Sequence, residues 1–292
     1  MGYGDEIMVT GRARAARETD PRKVVIIDLK GLPRGLDPRR WKEREIFELC
    51  PHIELLPREP IPNPDDYIVI LDAGHARPYV DEDAMQANFK RLFPGKPYST
   101  KNLRDPRFPW IFNMDHRAIP GDLSKLERQR YRGDIVIQPY IKPGSSVNKQ
   151  WPVERWQQVA NVLHAEGYPL TMIGPPGQMP RLQHVDFVAT KTFVEGLSYL
   201  TGCATAILPD GGVQHALAAL GVDLPSVVIF GGYSHPRSLG YDCHINFGSS
   251  LPGTPCGQWV KCPHCVEAMN NIRVEDVCTA AVTLARRKAE TG

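Results

Sequence analysis

The sequence predicts an α/β protein whose second half is a doubly wound parallel sheet. Short β-branched and apolar runs, each bounded by turn residues, alternate there with helical patterns, and this alternation is typical of such sheets. The predicted strands cover residues 134–140, 170–173, 185–189, 204–208 and 226–230, and the predicted helices cover 153–166, 193–200, 213–220 and 274–288. Because ligands of such sheets bind outside the carboxyl ends of the strands, the loops that follow strands are the candidate functional segments.

The chain is long enough for two domains. It has 292 residues, of which 42% are hydrophobic and 23% are charged, as in ordinary globular proteins. We predict a small, loop-rich N-terminal domain over residues 1–132, a second domain over 133–273 and a closing helix over 274–292. The first domain contains strand candidates at 23–29 and 67–71, a helix at 6–14 and a polar, helical connector at 123–132.

Charge and hydropathy exclude several classes of protein. Lys and Arg number 35 against 33 Asp and Glu, a net charge of +2, which excludes bulk electrostatic binding to nucleic acid or an anionic membrane. No basic stripe with interleaved aromatic residues supports nucleic-acid binding. No apolar run approaches the roughly 18–20 residues of a membrane span, and no secretory signal is visible. The odd cysteine count of 7 favours a reduced, cytoplasmic protein.

A Gly/Ser loop with a lysine follows the predicted strand 134–140. Gly144, Ser145 and Ser146 offer backbone N–H groups and hydroxyls, and Lys149 adds a positive charge. Loops of this composition between a strand and a helix suit a phosphate. The spacing is not that of a Walker A loop, and composition alone also fits an ordinary loop with a solvated lysine.

A second such loop follows the predicted strand 204–208. Gly211 and Gly212 allow a close approach of the backbone, and the following helix presents its N-terminal dipole. His215 lies on the first turn of that helix, and Asp210 is placed to cap it. A capped helix with a satisfied histidine explains Asp210 and one glycine, but neither the second glycine nor the histidine.

Taken together, these loops resemble glycosyltransferase family nine, the heptosyltransferase-like family. Residues 143–152 follow its P-G-(A/S)-x-x-x-K-x-W-P pattern, and residues 210–221 follow its D-(S/T)-G-x-x-H-x-A-x-A-L-G pattern. Residues 172–178 are similar to its strand and G-x-P-x-E loop, 227–231 end in its F-G, and 2–8 resemble its G-x-L-G-D opening. The resemblance covers most of residues 134–276, whereas the first half matches mainly at 2–14.

The resemblance implies a GT-B fold, in which two Rossmann-like domains face each other across a cleft. The second domain would hold a nucleotide-diphospho-sugar, with an ADP-sugar favoured and heptose as one candidate sugar. The first domain would receive a hydroxyl acceptor on a glycan, lipid-linked saccharide, protein or other molecule. Transfer would invert the anomeric centre without a catalytic metal. The donor-binding residues that the family pattern implies are Ser145, Ser146, Lys149, Gln178, Asp210, Gly211, Gly212 and His215.

Asp5 matches the aspartate of the family's Gly-Asp loop, the implied general base. A carboxylate in this place takes the proton from the acceptor hydroxyl as that oxygen attacks the anomeric carbon. The alternative role for Asp5 is an N-cap of the helix 6–14.

The sequence departs from the family pattern at three points. No strand precedes the Gly-Asp loop in this sequence, Gly211 stands for the usual Ser or Thr, and Gln178 stands for a Glu that commonly meets the ribose. These departures keep two other functions open, a non-catalytic sugar-nucleotide-binding protein and a sugar-nucleotide epimerase of the same fold.

Four cysteines form a candidate metal site near the C-terminus. Cys262 and Cys265 make a C-x-x-C pair, Cys256 lies six residues earlier, and Cys243 supplies a fourth thiolate for zinc or iron. His244 and His264 are the substitutes for a missing thiolate. Autotransporter heptosyltransferases, relatives within the resembled family, carry a cysteine-bound iron near the C-terminus. Reduced thiols in a packed loop, or an adventitious disulfide, are the alternatives.

Two further segments follow predicted strands. His235 and Arg237 are candidate sugar or phosphate contacts, and they also fit an ordinary surface loop. His75, Arg77 and Tyr79 are candidate acceptor contacts, and a plain turn explains them equally well.

Overall fold

The computed structural model describes residues 2–28, 30–37, 41–71, 78–98, 105, 108–141, 145–177, 180–221 and 224–291. The strands are β1 Lys23–Ile27, β2 Tyr67–Leu71, β3 Ile135–Ile137, β4 Leu170–Gly174, β5 Asp186–Ala189, β6 Thr205–Pro209, β7 Val227–Gly231 and β8 Ile245–Gly248. The helices are α1 Tyr3–Thr19, α2 Trp41–Glu48, α3 Glu82–Leu92, α4 Val153–Ala165, α5 Phe193–Thr201, α6 Gly212–Ala219, α7 Pro236–Leu239, α8 Pro263–Asn270 and α9 Val274–Thr291. In the described part of the chain, no helix is long and apolar enough to cross a membrane.

The second half forms a parallel sheet with the order β5-β4-β3-β6-β7-β8 among the described residues. The chain starts in the middle of the sheet at β3, winds outward to β5, and then returns to the other side of β3 at β6. This order reverses between β3 and β6, and ligands of doubly wound sheets bind at such a reversal, outside the carboxyl ends of the strands. The prediction of a doubly wound parallel sheet is therefore confirmed, and β8 is an edge strand that the sequence analysis missed.

Alternating side chains of β3 enter two different cores. Ile135 and Ile137 lie in a buried cluster with Trp156 of α4 and Val277 of α9. Val136, between them, points to the opposite face and joins the cluster that contains Leu217 of α6. Both faces of a strand are therefore covered by helices, which explains why the sequence shows a continuous apolar run instead of alternation.

The first half contains a smaller parallel sheet. Among the described residues it consists of β1 and β2, paired in register from Lys23 opposite Tyr67 to Ile27 opposite Leu71. An isolated parallel bridge joins Val24 to Ile53. The strand predicted at 67–71 is confirmed, and the helix predicted at 6–14 is the middle of the longer α1.

The helix predicted at 123–132 is wrong. This stretch is irregular and crosses between the halves, and several of its backbone donors bind to other elements instead of to its own carbonyls. The Leu123 N–H donates to Ala219 O at 3.2 Å and the Arg132 N–H donates to Gly202 O at 2.7 Å. Tertiary hydrogen bonds thus replace the helical ones that the polar composition predicts.

Helix α1 packs on both halves of the molecule. Its Ile7 lies in one buried cluster with Val24 of β1 and with Val136 and Ala216 of the second half. The predicted domain boundary at 132/133 therefore separates two sheets that share a core through α1, and the boundary itself stays a prediction.

Glycines in helices provide a test of this packing. A Cβ on Gly11 of α1 would lie 2.7 Å from Pro120 O, whereas a Cβ on Gly196 of α5 would meet Thr190 Oγ1 at 3.6 Å, an ordinary contact. We expect Gly11→Ala to lower the free energy of unfolding by about 1–3 kcal/mol through overpacking. Gly196→Ala should raise it by about 0.5–1 kcal/mol, because alanine favours the helix.

Urea titration of both variants measures the difference. A Gly11→Ala protein that is as stable as Gly196→Ala would show that the backbone at Pro120 does not pack tightly against α1.

Candidate active site

The two predicted phosphate loops meet at the point where the strand order reverses. One follows β3 and ends in a 3₁₀ turn, Val147–Lys149, and the other follows β6 and leads into α6. Because β3 and β6 are neighbours in the sheet, the loops lie side by side. Lys149 Nζ lies 2.7 Å from Asp210 Oδ2, so a charge pair joins them.

Asp210 is a buried carboxylate that other side chains hold in place. Besides Lys149, the Ser234 hydroxyl donates a short hydrogen bond to Oδ2, and Gln214 Nε2 donates to Oδ1 at 3.2 Å. Burial by itself raises the pKa of Asp210, but the Lys149 ammonium and the hydrogen bonds from Lys149 and Ser234 together outweigh it, and the pKa lies below its ordinary value. The carboxylate is therefore ionised and orients Lys149.

The predicted capping role of Asp210 is wrong. Gly211 is the N-cap residue of α6, and no side chain caps that helix. The carboxylate of Asp210 instead faces Lys149, so among the described residues the first N–H groups of α6 are not capped by a side chain and suit an anion.

The serines of the first loop differ in their roles. Ser146 is fully buried, and its hydroxyl donates to Gln258 O at 3.1 Å and accepts from the Asn148 N–H. This hydroxyl shapes the loop, so its side chain is already engaged inside the protein. Ser145 is half-buried beside it. Gln178 and Gly144 lie outside the described residues.

His215 is buried at the start of α6, and its tautomer follows from its neighbour. The Tyr241 hydroxyl lies 2.6 Å from His215 Nδ1. Burial raises the pKa of Tyr241 and lowers that of His215 to about 4, so both groups are neutral at pH 7. Because a buried hydroxyl needs an acceptor, we assign Tyr241 as the donor, which leaves the imidazole proton on Nε2.

The first turns of three helices converge beside His215. A Cβ on Gly4 of α1 would lie 3.3 Å from His215 Nε2, and one on Gly212 of α6 would lie 3.3 Å from Gly4 N. The ring of Tyr3 stacks on Phe193 at the start of α5, with centroids 3.9 Å apart. Glycines at these positions let the helix ends approach closely, and their positive ends favour bound anions.

Asp5 lies in the first turn of α1, at this convergence. Its Oδ1 accepts a hydrogen bond from the Tyr79 hydroxyl at 2.8 Å, and its Oδ2 accepts from the Gly2 N–H at 3.4 Å. Gly2 is the N-cap of α1, so Asp5 is not the cap residue but supports it from the third helical position. Its negative charge acts on His215 and raises the pKa of that imidazole, against the larger effect of burial. The predicted base and the second phosphate loop are thus close together.

Other predicted contacts have structural roles. His235 caps α7, because its Nδ1 accepts from the Arg237 N–H at 3.1 Å. Tyr79 contacts Asp5, as described above, and His75 and Arg77 lie outside the described residues. The sequence analysis missed Ser234 and Tyr241, which the strand pattern gives no reason to select.

A group of soft ligand atoms lies behind the first loop, in residues 256–265, which we call the knuckle. The ligand atoms of Cys256, Cys262, His264 and Cys265 all lie within 4.8 Å of one another. The Sγ atoms of Cys256 and Cys265 are 2.8 Å apart, and this contact lowers the pKa of Cys256 to about 6 while raising that of Cys265. The described cysteines are all free thiols.

The structure does not place Cys243, the predicted fourth ligand, in this group. Its thiol contacts His244 Nδ1 at 3.8 Å, on the segment before β8 and apart from the knuckle. His264 lies with the three cysteines instead. Its Nδ1 is buried without a hydrogen-bond partner among the described residues. The helix α8 brings His264 and Cys265 back toward Cys256, which the spacing along the chain does not show.

Comparison with known proteins identifies the family. Residues 113–256 match the model of glycosyltransferase family 9 (heptosyltransferase). The chain contains a glycosyltransferase family 9 domain. The predicted enzyme class, a glycosyltransferase, is the class of this family. No curated protein sequence matches the chain.

Solved structures extend the similarity beyond the family 9 domain. E. coli heptosyltransferase WaaC with ADP aligns with a TM-score of 0.56 and 13% identity, over 97% of each chain. E. coli ADP-heptose LPS heptosyltransferase II aligns with a TM-score of 0.54 and 15% identity, over 99% of this chain and 97% of that one. Both alignments confirm the predicted GT-B fold.

The iron-containing heptosyltransferase TibC of enterotoxigenic E. coli, solved with ADP-D-β-D-heptose, is similar over a shorter stretch. It aligns with a TM-score of 0.48 and 19% identity. The match covers 59% of this chain and spans half of the TibC chain, 50%.

The buried imidazole of His215 predicts a pH dependence of stability. With a folded pKa of about 4 against about 6.5 when unfolded, the unfolded state takes up a proton that the folded state excludes. Stability from this group is constant above pH 6.5 and falls as the pH drops from 6.5 to 4, by about 3 kcal/mol. His215→Gln should remove this loss, as measured by urea unfolding at pH 7, 5.5 and 4.5.

His164→Gln, a change of an exposed histidine on α4, is the matched control and should keep the wild-type slope. A His215→Gln protein that loses as much stability as wild type between pH 7 and 4.5 would contradict the buried neutral imidazole.

Proposed function

We propose that this protein transfers a sugar from a nucleotide-diphospho-sugar to an acceptor hydroxyl, with inversion and without a catalytic metal. The observation that carries the proposal is the pairing of Lys149 with Asp210 where the strand order reverses, with Asp5 on the facing helix end. Positive groups for a leaving diphosphate and a carboxylate for an incoming hydroxyl are the groups that a direct displacement requires.

An ADP-heptose is the favoured donor. WaaC has been solved with ADP and with ADP-2-deoxy-2-fluoro heptose, and both structures share the fold of this chain. The basic loop after β3 and the N-terminus of α6 suit the diphosphate that such donors carry. The acceptor is a hydroxyl on a glycan, a lipid-linked saccharide or a protein.

The leaving group would be stabilised by charge that is already in place. As the bond from the anomeric carbon to the phosphate oxygen breaks, negative charge builds on the β-phosphate. Lys149, the free N–H groups at the start of α6 and the Nε2–H of His215 can donate to it, and these donors need little reorganisation. Asp210 would hold the Lys149 ammonium near this position through their ion pair.

The attacking hydroxyl would be activated by Asp5. Its carboxylate accepts the hydroxyl proton while the oxygen forms the new bond to the anomeric carbon on the side opposite the leaving phosphate. One displacement of this kind inverts the configuration. Tyr79 donates to Oδ1 of Asp5, which fixes the orientation of the carboxylate.

Two substitutions should separate donor binding from turnover. Lys149→Ala removes a charge-assisted contact, so we expect ADP affinity in calorimetry to fall about tenfold or more. Asp5→Asn keeps the shape of the first turn but removes the base, so release of ADP from ADP-heptose with a panel of hydroxyl acceptors should fall about 10²–10⁴-fold with ADP affinity unchanged.

The controls address stability and alternatives. Lys149→Ala leaves Asp210 buried without its cation, so Lys149→Met with Asp210→Asn should restore stability while ADP binding stays weak. The exposed Lys191→Ala and Asp186→Asn should behave as wild type. ADP binding without transfer to any acceptor would support a non-catalytic sugar-nucleotide-binding protein, and formation of a free epimerised sugar nucleotide would support an epimerase.

The knuckle fits a structural zinc or iron ion. We infer that Cys256, Cys262, Cys265 and His264 hold the metal, because three sulfurs and an imidazole nitrogen form a tetrahedral donor set that both metals accept. The buried, unpartnered Nδ1 of His264 supports this set, since metal ligation would satisfy it. The ion would fix the fold of the knuckle and take no part in bond making.

Metal content provides the test. We expect about one equivalent of zinc or iron, by mass spectrometry, in protein purified without chelator. Cys262→Ser and His264→Ala should lose most of it, whereas Cys243→Ser should keep it. Metal that disappears in Cys243→Ser but persists in His264→Ala would contradict the ligand set.

A further inference from the structure

The knuckle is hydrogen-bonded to the phosphate loop through one buried side chain. Asn148 is 4% exposed and precedes Lys149 in the 3₁₀ turn. Its Nδ2 donates to Gln258 O and Val260 O, both at 2.7 Å, and its Oδ1 accepts from the Cys262 N–H at 2.9 Å. These contacts use both N–H donors of the amide and one of the two lone pairs of its oxygen, and they fix its orientation.

The described partners of the Asn148 side chain lie inside or at the end of one short loop. Gln258 and Val260 lie between Cys256 and Cys262, two members of the metal-binding group. Closing both ends of this loop on a single ion fixes the carbonyls that Asn148 binds. Ser146 adds a further hydrogen bond to Gln258 O, so the same carbonyl anchors both ends of the segment before Lys149.

The position of Lys149 depends on this anchor. The Lys149 N–H donates to Ser146 O at 3.2 Å, and Asn148 lies between the two residues in one turn of backbone. A displacement of the knuckle therefore moves the turn, and with it the ammonium that faces Asp210. Even a small displacement of the Lys149 ammonium should weaken its contact with a bound phosphate, because that contact depends on distance and direction.

The other side of the knuckle supports the same site. The Cys256 N–H donates to Gly232 O at 2.9 Å and the Gly257 N–H donates to Tyr233 O at 3.1 Å. The next residue, Ser234, donates to Asp210. Both members of the Lys149–Asp210 pair are thus held by loops that are hydrogen-bonded to the knuckle.

We propose that Asn148 is a positioning residue that couples metal occupancy of the knuckle to diphosphate binding at Lys149. The inference rests on the proposed function, since it takes the Lys149 site to bind the donor diphosphate. Metal in the knuckle raises the affinity for ADP, and by thermodynamic reciprocity ADP raises the affinity for the metal. Replacing Asn148 breaks the coupling in both directions while leaving the metal ligands in place.

The experiment measures both directions on the full chain. ADP affinity is determined by calorimetry for zinc-loaded and zinc-stripped protein under reducing conditions, and zinc release to a chromogenic chelator is followed with and without ADP. In wild type, stripping should weaken ADP binding about tenfold, and ADP should slow zinc release. In Asn148→Leu, zinc content should persist, ADP binding should be weak with or without zinc, and ADP should no longer slow zinc release.

Matched variants identify the cause of each loss. Gln157→Ala removes a side-chain amide that also bonds to both backbone groups of a distant residue, Gln183, and should keep full coupling. Asn148→Gln, which retains the amide, should restore part of it. A merely structural role would lower the melting temperature of Asn148→Leu without abolishing the effect of ADP on zinc release.

The outcomes that overturn the proposal differ from those that overturn the function. Wild type that binds ADP equally well with and without zinc refutes the coupling and leaves the proposed function standing. If Asn148→Leu keeps the wild-type effect of ADP on zinc release, the coupling through Asn148 is likewise refuted and the proposed function still stands. Loaded wild type that binds no ADP refutes the proposed function and the coupling with it.

Discussion

The charge pair between Lys149 and Asp210 is the interaction on which this site depends. A carboxylate as buried as Asp210 is unfavourable unless a cation and hydrogen-bond donors surround it. The pair exists because β3 and β6 are neighbours and each ends in a loop at the reversal of strand order. The sheet thus fixes two loops that are far apart in sequence, and the pair fixes the position of the Lys149 ammonium.

Helix α1 brings its first turn, with Asp5, close to the loop that carries Asp210. Its first turn touches the first turn of α6, where a Cβ on Gly4 would lie 2.7 Å from the His215 ring and one on Gly212 would lie 3.3 Å from Gly4 N. The same helix packs on β1 and α2, so its end is held by both halves of the molecule. This placement puts Asp5, the proposed base, beside His215.

The knuckle supports the phosphate loop from behind. A loop of a few residues has little packing of its own, so its geometry depends on what holds its ends. Here the amide of Asn148 forms hydrogen bonds with backbone atoms of the segment from Cys256 to Cys262, and these bonds hold the loop. A metal that closes those cysteines would stiffen the loop, and the donor site would gain from an ion that never touches the donor.

The sequence alone determined the doubly wound sheet, the two phosphate loops and the family pattern, because local periodicity and glycine placement are encoded over a few residues. It also selected Asp5, Lys149 and Asp210 for the site. Only the tertiary structure showed that residues 123–132 bond to other elements instead of forming a helix. It also showed that His264, and not Cys243, lies beside Cys256, Cys262 and Cys265. It further showed that Asn148 binds the knuckle and that Tyr241 binds His215. Such partners are decided by which segments the fold brings within hydrogen-bond distance, and the spacing of residues along the chain carries no record of that distance.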